Sequence, residues 1–184
     1  MKLAVTVLRP QATAVTSSTP TIYFKYRVRT QEDGWLPEVI NLADYAGIPG
    51  HAITDISIGV DRGSLWYQVH VKGGVWLPTV SGYNINDYNN GYAGNGRVID
   101  AVRGYYNTPA DYAAQYGHQK APYRVSPLHG NYRPWQYDHE TGAGQAGYAG
   151  ALAQPIARSQ PFLWHDHPPP TPLSGRRSAY SRMS

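Results

Sequence analysis

The chain has 184 residues, of which only 15% are charged, with 16 tyrosines, 19 glycines, 15 prolines and no cysteine. This length suits one domain with a real core, the aromatic and turn-forming composition points to strands rather than helices, and the absence of cysteine excludes disulfides and thiol chemistry. The net charge of +4 lies in the two ends, because residues 23–160 hold 11 bases and 11 acids, so nucleic acid is not an expected partner of this neutral core.

Residues 1–22 join a short apolar stretch, Leu3 to Leu8, to a Thr/Ser/Pro segment ending at Thr19-Pro20. Arg9-Pro10 cuts the apolar part to six residues, below the ~7–15 of a signal peptide core, and no run approaches the ~20 residues of a membrane span. The segment reads either as a linker or as an arm that adds a strand to a neighbouring subunit. Thr21 to Arg29 then alternates apolar and polar residues with the period of a half-buried strand. Glu32-Asp33-Gly34 is a turn, and Trp35 to Val39 a short strand whose Pro37 suggests an edge or bulge. Gly47 and Pro49-Gly50 mark another turn, and Ile53 to Val60 alternates again, with Ile56, Ile58 and Val60 on one face.

The same choices recur at Trp66–Val71, Gly73-Gly74 and Trp76–Val80. An insertion, residues 81–90, follows and lengthens the gap from tryptophan to the next motif tyrosine from 10 to 16 residues. Ile99 to Arg103 closes this unit. One short helix is expected at about 108–117, with Thr108 as N-cap, Pro109 at the first helical position, Asp111 in the first turn and Gly117 at the left-handed C′ position. A third, more degenerate unit holds Tyr123-Arg124-Val125, Trp135 and a closing strand at Ile156–Ser159. From Gln160 the pattern is lost, and residues 161–184 form a Pro-rich, basic tail.

The units share four points. Each opens on Tyr-x-Val (Tyr26, Tyr67, Tyr123), continues to a tryptophan (Trp35, Trp76, Trp135), reaches Tyr-Ala-Gly (Tyr45, Tyr92, Tyr148), and closes on an isoleucine (Ile53, Ile99, Ile156). The repeats run at about 23–62, 63–106 and 119–160. A unit this small cannot bury its aromatic face alone, so three around an axis are expected: an all-β, threefold pseudosymmetric domain, β-trefoil-like, with a β-prism as the alternative.

The repeated aromatics have two readings: the same core layer placed three times, or ring faces that stack on sugars while Asn, Asp and His hold the hydroxyls. Tyr45, Tyr92 and Tyr148 are candidates for either, as a corner tyrosine bonded to backbone or as an exposed platform. The insertion is the main candidate binding loop: Tyr83, Asn84, Asn86, Asp87, Tyr88 and Asn90 offer stacking planes and neutral hydrogen-bonding groups, which suit carbohydrate or peptide better than phosphate. For catalysis, Glu38 with Asp55 or Asp138 can be imagined as a glycosidase pair, but no spacing singles out a pair. There is no Gly-x-Ser-x-Gly, Walker loop or His-Glu-x-x-His. His165-Asp166-His167 in the tail lacks a nearby third ligand. No catalytic residue, metal or cofactor is therefore expected.

Tyr67-Gln68-Val69-His70-Val71-Lys72-Gly73-Gly74-Val75-Trp76 and the later Gly-x-x-Gly-x-x-Ile strand resemble the tryptophan-containing, hydrophobic-W-like repeats of clostridial surface proteins and, more closely, modules appended to bacterial and phage cell-wall lysozymes and amidases. The similarity covers roughly residues 23–160. It implies a module that binds cell wall or surface glycan and leaves cleavage to a separate domain, working outside the cell or on a virion. A second expectation is a structural subunit of a capsid, tail or filament, or a homo-oligomer, assembled through residues 1–22 and 161–184. A cell-wall hydrolase is the third.

Overall fold

The computed structural model describes residues 19–161. Most of the expected arms, and His165-Asp166-His167, lie outside the described residues. Six long strands carry the fold, two from each repeat. In the first, Phe24–Thr30 opens and Ile53–Val60 closes; in the second, Ser64–Val71 and Ile99–Asn107; in the third, Pro122–Pro127 and Ile156–Pro161. Each opening strand pairs antiparallel with the closing strand of its own repeat. The strands fall into separate antiparallel sheets and close no barrel.

Between the sheets, the small Tyr-Ala-Gly segments are exchanged. Ala93-Gly94 pairs with Ile56 and Asp55 of the first closing strand, and Ala149-Gly150 pairs with Val102 and Ala101 of the second. Ala46-Gly47 pairs with Ser159 and Arg158 of the third. Each segment therefore leaves its own repeat and completes the sheet of another. Glycine is required there for two reasons. Gly47, Gly94 and Gly150 have φ of +125°, +143° and +129°, and a Cβ would stand 1.9 Å from the Ala157 carbonyl oxygen, 2.2 Å from Asp55 Oδ1 and 2.2 Å from the Asp100 carbonyl oxygen, respectively. Only a residue without a Cβ both adopts that backbone and allows the approach.

The core follows from the repeat. Tyr26, Tyr67 and Tyr123, then Val28, Val69 and Val125, then Ala46, Ala93 and Ala149, and finally Ile53, Ile99 and Ile156 are all buried in one apolar cluster. The first opening strand shows the expected alternation. The first closing strand does not alternate: seven of its eight residues are buried, because Ala93-Gly94 of the next repeat pairs along its edge and Gly91 and Gly96 bond the side chains of Ser57 and Asp55. Ser57 Oγ donates to the Gly91 carbonyl across that contact at 2.7 Å.

Three local expectations change. The strand expected at Trp35–Val39 is two short pieces, Gly34–Trp35 and Val39–Ile40, both on the first opening strand. Pro37 has no N–H to continue the ladder between them. In the second repeat the equivalent stretch keeps only isolated bridges at Trp76 and Val80. The helix spans Ala110–Tyr116, with Pro109 at the N-cap position and no side-chain cap. Thr108, expected to cap it, instead accepts the Gln119 N–H and donates to the Gln119 carbonyl, closing the loop that carries the helix. Tyr112 anchors the helix by its buried ring and by donating to the Pro20 carbonyl at 2.8 Å.

Candidate functional site

The tryptophans are not the core layer. Trp35, Trp76 and Trp135 are half-buried, and they stand where repeats meet. The Trp35 and Tyr92 rings pair edge-on at 5.3 Å between the first and second repeats, and Trp76 and Tyr148 do the same at 5.7 Å between the second and third. Between the third and first, Tyr45 meets Tyr132 edge-on at 6.4 Å. The segment exchange produces these seams, since it carries the motif tyrosine of one repeat to the neighbour's edge.

Each seam holds a guanidinium over its rings. Arg29 lies 5.6 Å from both the Trp35 and Tyr92 ring centroids, and Arg103 lies 4.3 Å from Trp76. Arg124 lies 4.3 Å from both Tyr132 and Trp135, and Arg158 sits 4.7 Å from Tyr132 and 5.3 Å from Tyr45. Such contacts contribute about 0.5–1 kcal/mol each at exposed sites. The sequence reading missed these arginines. Their signal is the outward alternation along strands: Arg27 and Arg29, or Gln68 and His70, share the face opposite the buried tyrosine and valine.

Beneath two seams, buried carboxylates fix the polar groups. Asp55, fully buried, accepts from Arg29 Nε at 2.7 Å, Thr54 Oγ1 at 2.6 Å and the Gly96 N–H at 3.3 Å. That contact holds Arg29 above its ordinary range. Asp100, equally buried, is 2.6 Å from His70 Nδ1 and accepts the Ala153 N–H at 2.6 Å. Asp138 accepts the Tyr106 and Ala121 N–H groups, both at 3.0 Å, and burial pushes its pKa up against those bonds. Asp55 and Asp138 thus act inside the fold, and Glu38 is exposed and accepts from Tyr83 Oη at 2.5 Å. Glu32, Asp33 and His51 each bring one potential ligand atom within 4.8 Å of the others. Two are already engaged with each other, His51 Nδ1 with Asp33 at 2.5 Å, and Glu32 accepts the Ala52 N–H.

The insertion is largely a self-bonded loop. Asn84 Oδ1 accepts the Asn86 N–H, Asp87 Oδ1 accepts those of Asn89 and Asn90, and Asn90 Oδ1 accepts that of Ser81. These are the side-chain turns that Asn and Asp favour, so much of the polar composition shapes the loop. Tyr83 is half-buried against Gly59, where an added Cβ would stand 2.8 Å from its own Cβ, and Lys25 Nζ lies 4.7 Å above its ring. Tyr88, 62% exposed, and Asn86 face solvent. Tyr88 also meets Tyr92 edge-on at 6.0 Å, so the loop joins the first seam. Tyr92 itself is buried, while Tyr45 and Tyr148 are half-buried.

The corner-tyrosine role belongs to another residue. Tyr26 Oη donates to the Asn41 or Asp44 carbonyl, Tyr67 Oη to that of Gly82 at 2.7 Å, and Tyr123 Oη to that of Asp138. Burial pushes the Tyr67 phenol up to about 12. With that role filled, Tyr45 and Tyr92 line grooves instead. A cavity of about 520 Å³ is lined by Leu36, Pro37, Glu38, Val39, Ile40 and residues 43–48, including Tyr45. The equivalent groove of the second repeat, between Leu77, Pro78, Val80, Tyr92, Ala93 and Gly94, measures about 150 Å³, and Tyr88 and Asn89 of the insertion line it. The insertion narrows one copy of a groove that the first repeat leaves open. No protein-family model, curated protein or solved structure matches the chain.

Proposed function

We propose that the protein is a non-catalytic recognition module for cell-wall or surface carbohydrate, built from three repeats around a threefold pseudosymmetry axis. The cyclic exchange of Ala46-Gly47, Ala93-Gly94 and Ala149-Gly150 supports the closed threefold arrangement. Three main sheets, with a two-stranded ribbon at Thr141–Gly142 and Gln145–Ala146 beside them and no barrel, favour the prism-like version over the trefoil-like one. The observation that carries the binding reading is the recurrence of edge-on aromatic pairs at successive seams, every ring but Tyr92 half-buried, beside an open groove. Aromatic rings flanked by hydrogen-bonding groups and left partly open match the apolar faces and hydroxyls of sugars, and about 520 Å³ is within the usual ~300–1,000 Å³ of small-ligand pockets. The resemblance of Tyr67–Trp76 to wall-binding repeats points the same way.

The test is retention of the full chain on purified Gram-positive cell walls. Tyr88→Ala removes an exposed ring, and Trp76→Ala opens the second seam. Retention of the parent chain, with loss of more than half of it in Trp76→Ala and a smaller loss in Tyr88→Ala, is the expected pattern. Failure of the parent chain to be retained on walls and on a panel of soluble glycans removes the reading. Tyr83 is a poor probe, because its tie to Glu38 and Gly59 makes its loss structural.

A further inference from the structure

The seam between the third and first repeats differs from the others in charge. In the first repeat, the closing-strand residue opposite the motif glycine is Asp55, paired with Gly94, and it neutralises Arg29. In the third repeat the residue opposite the motif glycine is Arg158, paired with Gly47. On the opening strand, Arg29 faces Asp55, but Ser126 faces Arg158. An acid that neutralised one seam is thus replaced by a second cation in another.

Both third-seam guanidinium groups bond only neutral acceptors among the described residues. Arg124 donates twice to Gln160 Oε1, at 3.0 and 2.8 Å. Arg158 donates to Ser126 Oγ at 2.8 Å and to the Gly130 carbonyl at 2.6 Å. Neither forms an ion pair among the described residues. Asp44, on the rim, accepts the Tyr45 N–H and makes no ion pair with them. Burial lowers the Arg124 pKa, Tyr132 partly opposes that and the nearby Arg158 adds to it, so two like charges share a partly dry place. Between them lies Tyr132, whose Oη is buried with no hydrogen-bond partner. A buried polar group left unpaired is destabilising, and two crowded cations beside it leave the place short of an anion.

We infer that this seam is an anion site, formed by Arg124, Arg158 and Tyr132, which takes the carboxylate or phosphate group of an acidic saccharide whose body lies along the adjoining groove. Tyr45 links the two parts, since it meets Tyr132 edge-on and also lines the cavity beside Leu36, Val39 and Ile40. Guanidinium suits either anion through paired N–H donors. The saccharide part of this inference rests on the proposed function. The anion part stands on the seam alone.

The test is calorimetric titration of the full chain with glucuronate, glucose 6-phosphate, glucose and inorganic phosphate, at low and high salt, with NMR of the arginine Nε–H signals. Both acidic sugars are expected to bind at least tenfold more tightly than glucose, weakening with salt and shifting the Arg124 and Arg158 signals. The ratio between the two acids identifies the preferred anion. Arg158→Gln should lose at least tenfold, Arg158→Lys should recover part of it, and Tyr132→Phe should lose severalfold while keeping its ring. The lysine and phenylalanine variants keep the test decisive should Arg158→Gln fail to fold. Equal binding of glucose and the acids, or unchanged binding of the acids in the folded Arg158→Lys and Tyr132→Phe variants, overturns the site. If inorganic phosphate binds as tightly as the acidic sugars, the site holds an adventitious ion only and the saccharide is overturned. Acidic-sugar binding without wall retention would sink the wall reading and leave the anion site. Wall retention without acidic-sugar binding would do the reverse.

Discussion

At the scale of single residues, His51 and Asp33 form the clearest pH-sensitive contact among the described residues. His51 Nδ1 lies 2.5 Å from Asp33 Oδ2, and Thr30 Oγ1 donates to the same carboxylate at 2.8 Å. The contact ties the turn after the first opening strand to a residue two positions before the first closing strand. The hydrogen bond to Asp33 raises the His51 pKa above 6.5, and the bond from His51 lowers the Asp33 pKa below 3.8. The signs give a window. A raised histidine contributes stability that is full below 6.5 and disappears as pH rises through the folded value. A lowered carboxylate contributes stability present above 3.8 and lost as pH falls through its folded value. The pair is therefore expected to help most in mildly acidic solution. Asp33→Asn should return the NMR titration midpoint of His51 towards 6.5 and flatten the pH dependence of stability on the acid side of neutrality. A His51 midpoint that does not move in Asp33→Asn would show that the contact is not formed in solution. Both side chains are exposed to solvent, so the effect on total stability should be small.

At the scale of elements, the Tyr-Ala-Gly segment has two residues for the fold of each sheet and one for the seam between repeats. Its alanine enters the core, its glycine admits another repeat's strand, and its tyrosine goes to a seam. Gly94→Ala tests the glycine against Gly73→Ala. Gly73 has φ of +68° with nothing within 4 Å of an added Cβ, whereas Gly94 adds a clash with Asp55 and the Thr54 carbonyl to its φ of +143°. Gly73→Ala should cost about 1 kcal/mol from backbone strain, and Gly94→Ala at least about 3 kcal/mol. Urea unfolding measures both, and equal costs would mean that close approach of the strands is not what the glycine serves. The repeat itself was legible in the sequence because Tyr-x-Val and the closing isoleucine obey a period of two and face one core. The exchange of segments was not legible, because it joins residues such as Gly47 and Arg158 across most of the chain, and no local pattern records such pairing. For the same reason the candidate loop was found but its partners were not. Tyr83 looks like a free platform in sequence, and only the fold places Glu38 and Gly59 against it. The arginines of the seams were passed over as ordinary outward-facing strand residues, because a cation becomes noteworthy only when the strand opposite supplies or withholds its acid.

At the scale of the whole molecule, the pairing order is a ring rather than a row. The second repeat supplies a segment to the first, the third to the second, and the first to the third. In an open array, removing a terminal repeat leaves a shorter array whose remaining interfaces are intact. In a ring, removing one repeat breaks two of the three exchanges. A chain ending at residue 118 leaves Ala46-Gly47 without the strand Ile156–Pro161 and leaves the strand Ile99–Asn107 without Ala149-Gly150. It also exposes Ile99, Val102 and Tyr106, which the complete protein buries, at about 1.5–3 kcal/mol for each large apolar side chain returned to water. Such losses reach the whole stability of a domain this size, about 5–15 kcal/mol. The two-repeat chain should therefore show no cooperative urea transition and no near-UV circular dichroism, while the full chain unfolds in one step with its tryptophans and tyrosines reporting together. A two-repeat chain that unfolds cooperatively with native-like aromatic signals would mean that each repeat pair is stable alone, and that the exchanged segments decorate the sheets rather than close them. The seams depend on the same closure. Because each aromatic pair draws its two rings from different repeats, binding that relies on them should vanish in the truncated chain along with the fold, and no single repeat should retain it.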